Sequence, residues 1–400
     1  MFFAFMLAQW RALFISAYLS RNVFPAELSL WLLICAWIIH DLFQRSLLKP
    51  YFVVWRRNGM VVLFILFALS SLFWTIDPAS TIFCLTAMIG ASLVAAYAGL
   101  RSDLRDLLEM LAGIFAIEVL LNFIMIFVFP DFGIMSNRPY VGSWRGIFWH
   151  RNYLGSAMAL ANLIFLYRLA DGISMRSKWK TLFASILYVL SFVLILMSRS
   201  ATAMILFVLL QGAFLVVWVW VKTNARLRLS HYWVLGITAI VLIALALFKL
   251  EFIFGLLGRN TSLTGRVPLW LYLLTDVLMQ KPVLGYGFAA LWAQHSFRAQ
   301  VQTVLGWGYP VLTADNGFLD VLLSLGFIGL AIFACTLAYT AIQYFRHAIS
   351  QPTLVSCMPV LFLVYLLIAN ISLSHFFEIE SFTWMVLVIF LFSITQTHIK

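Results

Sequence analysis

Residues 201–221, ATAMILFVLLQGAFLVVWVWV, decide the fold class of this chain. They contain no charged side chain, and a helix needs roughly 20 mostly apolar residues to cross the hydrocarbon core of a bilayer. The rest of the 400-residue chain is similar, since 64% of all residues are hydrophobic, 10% are charged and the mean hydropathy is +1.00. No soluble core accommodates so many apolar side chains. The sequence therefore predicts an all-α polytopic membrane protein.

Outward from this stretch, apolar runs of similar length predict about twelve transmembrane helices. The first is the weakest, because Arg11 interrupts it. The expected spans are 2–19, 26–43, 60–76, 80–99, 107–129, 153–170, 180–198, 201–221, 232–250, 318–345, 355–374 and 380–397. They divide the chain into an N-terminal bundle of about nine spans (1–250), a long outer loop between spans 9 and 10 (251–317), and a C-terminal bundle of about three spans (318–400).

The outer loop is the only long polar connection, and loops of this length usually carry function or structure of their own. Within it, Thr264 is a candidate helix cap and Pro268 suits a first helical turn. Apolar residues at helical spacing then predict an amphipathic helix that rests against the outer membrane surface and ends at Lys281-Pro282: Leu269, Leu273, Val277 and Leu278. The glycines of residues 284–288, LGYGF, permit a tight or re-entrant turn after it.

The distribution of charge narrows the class of partner. The net charge is +11, but Lys and Arg accumulate in the cytoplasmic loops of membrane proteins, so the balance does not indicate nucleic acid. With a cytoplasmic N-terminus, the positive charge that remains outside concentrates at residues 131–152, at the turn around Arg199, and in the outer loop. Topology disfavours arginine there, so these clusters indicate an anionic ligand. The alternative is pairing with lipid phosphates or with nearby carboxylates: Asp131, Glu251 and Glu378.

Cofactor signatures are not evident. The four cysteines lie within apolar runs, where they are typical packing residues. No Cys/His spacing indicates a metal, and no GxxxxGK[ST] sequence indicates nucleotide hydrolysis. We therefore expect neither a metal nor another cofactor.

The first motif is WRGIFWHRNYLG at residues 144–155, before the sixth span. It places Arg145, His150, Arg151 and Asn152 among aromatic residues. Aromatic faces stack on sugar rings, and guanidinium groups bind phosphate through paired donors. These four residues are candidate substrate contacts, although an interfacial aromatic belt explains the tryptophans equally well.

The second motif, SRSAT at residues 198–202, connects two strongly apolar spans with almost no loop. A charge at this depth is costly unless it is paired, and no acidic residue is near in sequence. Arg199 is therefore a candidate for binding an anion, and snorkelling to lipid headgroups is the alternative.

The third motif, GRVPLW at residues 265–270, places Arg266 in the first turn of the predicted loop helix. The amides and partial positive charge of a helix N-terminus suit phosphate or diphosphate together with a guanidinium. An ordinary surface arginine is the alternative.

The fourth motif, DNGFLDVLLSLGFIG at residues 315–329, opens the tenth span. Asp315 and Asn316 lie near the helix cap, and Asp320 lies about a turn and a half deeper. Asn316 and Asp320 are candidate substrate contacts. A carboxylate near the outer interface suits a general base for a sugar hydroxyl. The alternative is that Asp315 only caps the helix.

Taken in this order, the motifs resemble the O-antigen ligase/polysaccharide polymerase superfamily, and especially its bacterial exopolysaccharide polymerases. The resemblance covers roughly residues 70–345. It implies an enzyme that transfers a glycan from an undecaprenyl-diphosphate carrier at the periplasmic face of the bacterial inner membrane. It further implies membrane lipid as a partner, and a pathway that includes a chain-length regulator and a flippase.

The resemblance also implies catalytic roles. Arg199 and Arg266 match arginines thought to engage the diphosphate in related ligases. The family typically has a histidine followed by asparagine, with nine residues before a Gly-x-x-Gly sequence, and that histidine is proposed to activate the acceptor hydroxyl. Here the spacing to Gly326 and Gly329 is kept, but Asp315 occupies the histidine position. Either Asp315 is the base, or it orients the acceptor while His150 or Asp320 contributes.

Three functions remain open from the sequence. A polymerase that joins repeat units is favoured over a ligase that attaches a finished glycan to lipid or protein, because the residues of the first and fourth motifs resemble those of polymerases. A polysaccharide transporter is less favoured, since charged residues within spans are few and two similar halves are not evident.

Overall fold

The computed structural model describes residues 24–136, 140–223, 266–307, 311–376 and 382–396. Within these residues the regular secondary structure is helical, with one isolated β-bridge between Ile134 and Trp144. The α-helices are α1 (Phe24–Gln44), α2 (Leu48–Arg57), α3 (Gly59–Ser70), α4 (Pro78–Arg101), α5 (Leu104–Val128), α6 (Pro130–Gly133), α7 (Arg151–Ser174), α8 (Lys178–Ser198), α9 (Ala201–Lys222), α10 (Arg266–Tyr272), α11 (His295–Leu305), α12 (Gly317–Ser350), α13 (Leu354–Ser372) and α14 (Phe382–Gln396). The prediction of an all-helical fold is confirmed.

Seven of the described helices are long and apolar enough to cross a membrane: α4, α5, α7, α8, α9, α12 and α13. An eighth candidate is a bent pair, in which α2 follows Trp31–Gln44 of α1 at an angle of 115°. The predicted spans 60–76 and 380–397 correspond to shorter apolar helices at Gly59–Phe73 and Phe382–Gln396. The predicted spans 2–19 and 232–250 lie outside the described residues. The chain is thus a multi-pass membrane protein, and the count of twelve stays a prediction.

The chain groups by contacts into two compact units. Unit 1 comprises Met1–Leu104, Ser262–Arg346 and Asn370–Lys400. Unit 2 comprises Arg105–Thr261 and His347–Ala369. The fourth motif and the described part of the outer loop therefore belong to unit 1, whereas the first two motifs belong to unit 2. The division into segments 1–250, 251–317 and 318–400 follows the order of the chain rather than these contacts, and it stays a prediction.

Helix α14 forms the centre of unit 1. It is apolar around its whole circumference, and its residues from Phe382 to Thr395 are all buried, as expected for a helix without a polar face. Trp384 of α14 donates to Ser92 of α4 (2.8 Å), and Tyr344 of α12 donates to the carbonyl of Leu387 (2.6 Å). These bonds connect α14 to α4 and to α12.

Helix α12 is interrupted at Gly326, whose φ of 67° and ψ of −170° are not helical. The interruption releases backbone groups that water cannot satisfy in an apolar environment. The segment 282–287 satisfies them: the amides of Tyr286 and Gly287 donate to the carbonyls of Leu323 and Ser324 (3.0 and 2.9 Å). In return, the carbonyls of Pro282 and Val283 accept from the amides of Phe327 and Ile328 (2.8 and 3.3 Å). The turn predicted at residues 284–288 therefore pairs with the broken helix.

We expect Gly326→Ala to prevent the chain from folding stably. The backbone angles at this position are essentially restricted to glycine, and a β-carbon would collide with the backbone of Val283. Strain and collision together are expected to cost about 3 kcal/mol or more. The measurement is the fraction of purified protein that stays monodisperse in detergent on heating. The matched control is Gly212→Ala, because Gly212 lies within α9 with open space around it; equal stability of the two variants would contradict the expectation.

Candidate functional site

The described part of the outer loop is a folded element with its own core. Residues 266–280 are helical throughout, first as α10, then as a π-turn (Leu273–Val277) and a 3₁₀-turn (Leu278–Gln280). The four residues at helical spacing are buried in this core together with the first turns of α12: Leu269, Leu273, Val277 and Leu278. A helical segment at this place is therefore confirmed, and the predicted apolar face packs on protein. Its position against the outer membrane surface stays a prediction. Its opposite side exposes further apolar residues, including Val267 and Leu271. Thr264, the predicted cap, lies outside the described residues.

Arg266 and Asp315 form an ion pair at one end of this core. The Nε of Arg266 donates to Oδ2 of Asp315 at 3.2 Å. The Arg266 side chain is buried, with 8% exposure, while the Asp315 side chain is 38% exposed. Because only Nε is engaged in the described part of the chain, the four N–H groups on Nη1 and Nη2 remain for a ligand. A half-exposed carboxylate thus lies against a guanidinium that still has paired donors.

The backbone around Asp315 is fixed by its neighbours. Asp315 has a φ of 50°, in the left-handed region, and its amide donates to the hydroxyl of Thr313 (3.3 Å). The indole of Trp270 donates to the carbonyl of Ala314 at 2.8 Å. The third motif therefore contacts the start of the fourth twice: Arg266 bonds to Asp315, and Trp270 bonds to Ala314 directly before it.

Asn316 caps α12. Its side-chain oxygen accepts from the amides of Phe318 and Leu319, both at 3.1 Å, as an N-cap residue does. Its amide nitrogen donates to the carbonyl of Ile371 (3.3 Å). Because Asn316 has the capping role, the Asp315 side chain is directed to Arg266 and to solvent instead.

Asp320 lies inside the protein, with 2% exposure. Its Oδ1 accepts from the indole of Trp292 (2.6 Å) and from the amide of Ala314 (3.1 Å). Its Oδ2 accepts from the hydroxyl of Ser374. A buried carboxylate requires such partners, and these connect three separate segments of unit 1. Asp320 thus fixes the backbone amide of Ala314, the residue that precedes Asp315. Direct contact of Asp320 with a substrate stays a prediction.

The second motif forms a tight turn in unit 2. Arg199 ends α8 in the left-handed conformation, with a φ of 50°. Ser200 caps α9 by accepting from the amide of Ala203 (3.4 Å). The Arg199 side chain is exposed and lies beside Gly142. In the described part of the chain its guanidinium has no hydrogen bond and no ion pair, so it is available to an anion.

The first motif supports this turn. Arg151 is buried, donates to the carbonyl of Arg199, and lies over the ring of Tyr140 at 4.4 Å. Arg145 donates through Nε to the carbonyl of Phe132 (2.6 Å), and partial burial lowers the pKa of its guanidinium. Both arginines thus bind backbone in this structure.

His150 and Asn152 lie at the start of α7. The Nδ1 of His150 accepts from the amide of Asn152 (3.2 Å), which caps the helix. The imidazole also contacts the ring of Tyr140 edge-on, with centroids 5.1 Å apart. The start of α7 packs closely against the turn at residues 198–203. This approach depends on Gly155, because a β-carbon there would collide with Ala203 and Ser198.

The structure thus brings the predicted residues together as two clusters. The unit 1 cluster holds Arg266, Asp315, Asn316 and Asp320, and the unit 2 cluster holds Arg145, His150, Arg151, Asn152 and Arg199. The sequence did not indicate Trp292 or Ser374, since neither lies in a motif and both act through Asp320. In the described residues, no group of three or more His, Cys, Asp or Glu side chains is placed to hold a metal ion.

Comparison with known families supports the resemblance drawn from the motifs. Residues 186–334 match a family profile described as O-Antigen ligase. This range includes Arg199, Arg266, Asp315, Asn316 and Asp320, whereas the first motif precedes it. No curated protein matches the chain significantly. Residues 186–334 are therefore similar to an O-antigen ligase domain, and this match supports the resemblance to the O-antigen ligase/polysaccharide polymerase superfamily that the motifs indicated.

Proposed function

We propose that this protein polymerises undecaprenyl-diphosphate-linked oligosaccharide repeat units into exopolysaccharide or O-antigen at the periplasmic face of the inner membrane. The general activity, transfer of a lipid-linked glycan by a membrane enzyme, follows from the family. The first and fourth motifs, which resemble those of polymerases, favour chain extension, and the observation that carries the proposed chemistry is the Arg266–Asp315 pair. It places a proton acceptor beside a cation that still has two free donor groups.

The proposed step is a single displacement. The acceptor hydroxyl attacks the anomeric carbon of the donor sugar, a new C–O bond forms, and the bond from that carbon to the diphosphate oxygen breaks. The hydroxyl proton passes to the carboxylate of Asp315, and the diphosphate leaves on its lipid carrier. Such a displacement inverts the anomeric configuration.

Arginine suits the leaving group in this step. Charge develops on the diphosphate as the bond breaks, and preorganised donors are the usual source of stabilisation for such charge. Arg266 offers Nη1 and Nη2 as a fork that matches phosphate geometry. We also assign Arg199 to diphosphate binding, because its guanidinium is exposed and the backbone of its turn is fixed by the bond from Arg151 to the Arg199 carbonyl. The mechanism needs no metal ion.

The remaining predicted residues are assigned by their contacts. Asn316 and Asp320 position the segment that carries Asp315. Arg145 and Arg151 shape the surface beside Arg199, and His150 with Asn152 lines its edge as a candidate sugar contact. A chain-length regulator and a flippase are the partners expected for this pathway.

The proposal is tested with purified protein in liposomes, lipid-linked repeat units from the host, and a chelator in place of added metal or nucleotide. We expect a ladder of longer carrier-linked chains, which is lowered about 100-fold in Arg199→Ala. The matched control is Arg176→Ala, because Arg176 is also exposed and left-handed, with a φ of 54°, but lies at the opposite end of α7 and α8. Its ladder should equal that of the wild type.

Other products would redirect the assignment. Transfer only after a lipid or protein acceptor is added would identify a ligase. Flux of sugar across the liposome membrane without any new glycosidic bond would identify a transporter and contradict both enzymatic functions.

A further inference from the structure

A polar cavity lies in unit 1, within the outer-loop element and apart from the Arg266–Asp315 pair. Its volume is about 300 Å³, at the lower end of the range for small-molecule sites. Three glutamines and three aromatic residues provide most of its lining: Gln280, Gln294, Gln300, Tyr272, Tyr286 and Phe297. None of its lining residues in the described chain carries a charge, so the cavity does not suit a diphosphate.

The glutamines are held in place by bonds that their amide nitrogens donate. Gln300 donates to the hydroxyl of Tyr272 (2.9 Å), and Gln294 donates to Oδ2 of Asp77 (3.3 Å). In the described residues no hydrogen bond engages the side-chain oxygen of either amide. Gln280 donates to the carbonyl of Asp276 (2.7 Å), and its side-chain oxygen has one long contact from the hydroxyl of Tyr286 (3.5 Å), which leaves it a further lone pair. Fixed amide oxygens of this kind accept well from hydroxyl groups.

The apolar part of the lining is aromatic. Phe297, Tyr272 and Tyr286 line the same space. Tyr286 is fixed by donating its hydroxyl to the carbonyl of Val277 (2.7 Å), and its ring lies under the ammonium of Lys281 (5.3 Å). A ligand that fits must therefore combine hydroxyl groups with an apolar face. A pyranose ring has both, since its hydroxyls lie at the edge and its C–H groups lie on the face that stacks on aromatic rings.

The cavity is connected to the proposed reaction centre through Trp292. The ring of Phe297, in the cavity wall, packs edge-on against Trp292 with centroids 5.1 Å apart. The same Trp292 donates to Asp320, which accepts from the backbone amide of Ala314, the residue before Asp315. A sugar bound in the cavity therefore lies against the scaffold that positions the base.

We propose that this cavity is a subsite for an uncharged sugar residue of the substrate glycan, a short distance along the chain from the reacting sugar. The inference rests on the proposed function and extends it, because it assigns recognition of neutral sugar to the outer loop rather than to the arginine clusters. The glycan then gains affinity from the subsite, while the chemistry stays with Arg199, Arg266 and Asp315.

The test compares the double variant Gln280→Ala/Gln300→Ala with the wild type in the chain-extension assay. Each amide contributes about one hydrogen bond to the ligand, so we expect KM for the repeat unit to rise about tenfold while kcat stays within about twofold. Phe297→Ala is expected to raise KM similarly. The matched control is Gln302→Ala, on the same helix as Gln300 but outside the cavity lining, and it should leave both constants unchanged.

A binding measurement separates this inference from the function on which it rests. Saturation-transfer NMR with the repeat-unit oligosaccharide, released from its lipid, should show contact in the wild type and in Arg266→Ala, and lose it in the double variant. Unchanged KM and unchanged contact in the double variant would overturn the subsite even if the wild type extends chains. If no form extends chains but the contact depends on Gln280 and Gln300, the polymerase function fails and the sugar site stands.

Discussion

Replacing Arg266 by alanine is expected to abolish chain extension, with a fall in kcat of at least about 100-fold. The variant removes the fork of donors that we assign to the diphosphate, and it removes the partner that fixes Asp315 at 3.2 Å. Arg266→Lys should recover only a small part of the activity, because an ammonium group offers a point charge rather than two parallel N–H bonds. The measurement is kcat for extension of lipid-linked repeat units by purified protein.

Loss of folding must be separated from loss of chemistry in this variant. The Asp315 carboxylate that remains is 38% exposed and can be solvated, so we expect Arg266→Ala to remain folded in the membrane. Arg45→Ala is the matched control, since it breaks another arginine–aspartate pair of unit 1, between Arg45 and Asp41 (2.7 Å), beside Tyr97 of α4. Chain extension at the wild-type rate in Arg266→Ala would contradict the assignment of Arg266 to the diphosphate.

The sequence predicted the parts of this molecule that depend on local patterns. Continuous apolar runs predicted the long helices, and the spacing of Leu269, Leu273, Val277 and Leu278 predicted which face of the loop helix is buried. These features follow from composition and from helical periodicity, which a single chain displays. The family motifs likewise placed Arg199, Arg266 and Asp315 together as candidates.

Contacts between distant segments could not be predicted in this way. The glycines at 285–287 allowed a tight turn, but nothing local indicated that this turn satisfies the backbone released at Gly326. The same holds for Asp320, whose partners Trp292 and Ser374 lie 28 and 54 residues away. The bend between α1 and α2 was not predicted either, because residues 44–59 carry too many charges to be identified as part of a span.

The position of Asp315 shows how a single residue can be ambiguous in sequence and specific in structure. Asp and Asn are both common helix caps, so the pair Asp315-Asn316 does not reveal which residue caps α12. In the structure Asn316 supplies both capping bonds. That arrangement frees the carboxylate of Asp315 for Arg266 and solvent, which a base requires.

Asp315→Asn is therefore expected to lower kcat about 100-fold to 10,000-fold, the range associated with loss of a positioned general base. An amide oxygen still accepts the bond from Arg266, so the geometry is preserved while the ability to take up a proton is lost. Asp276→Asn is the matched control, because Asp276 is an exposed carboxylate of the same loop element outside the site. Its activity should equal that of the wild type.

Asp315→His distinguishes a base from a residue that only orients the acceptor. The family that the motifs resemble typically has histidine at this position, and a neutral imidazole can accept a proton, so we expect activity well above that of Asp315→Asn. The pH profile should change as well: with an ordinary histidine pKa of about 6.5, the variant should lose activity as the pH falls below that value, because the imidazolium has no lone pair to accept the proton. Near-normal activity in Asp315→Asn, or an Asp315→His variant without this new acid limb, would show that Asp315 orients the hydroxyl and that the proton leaves by another route.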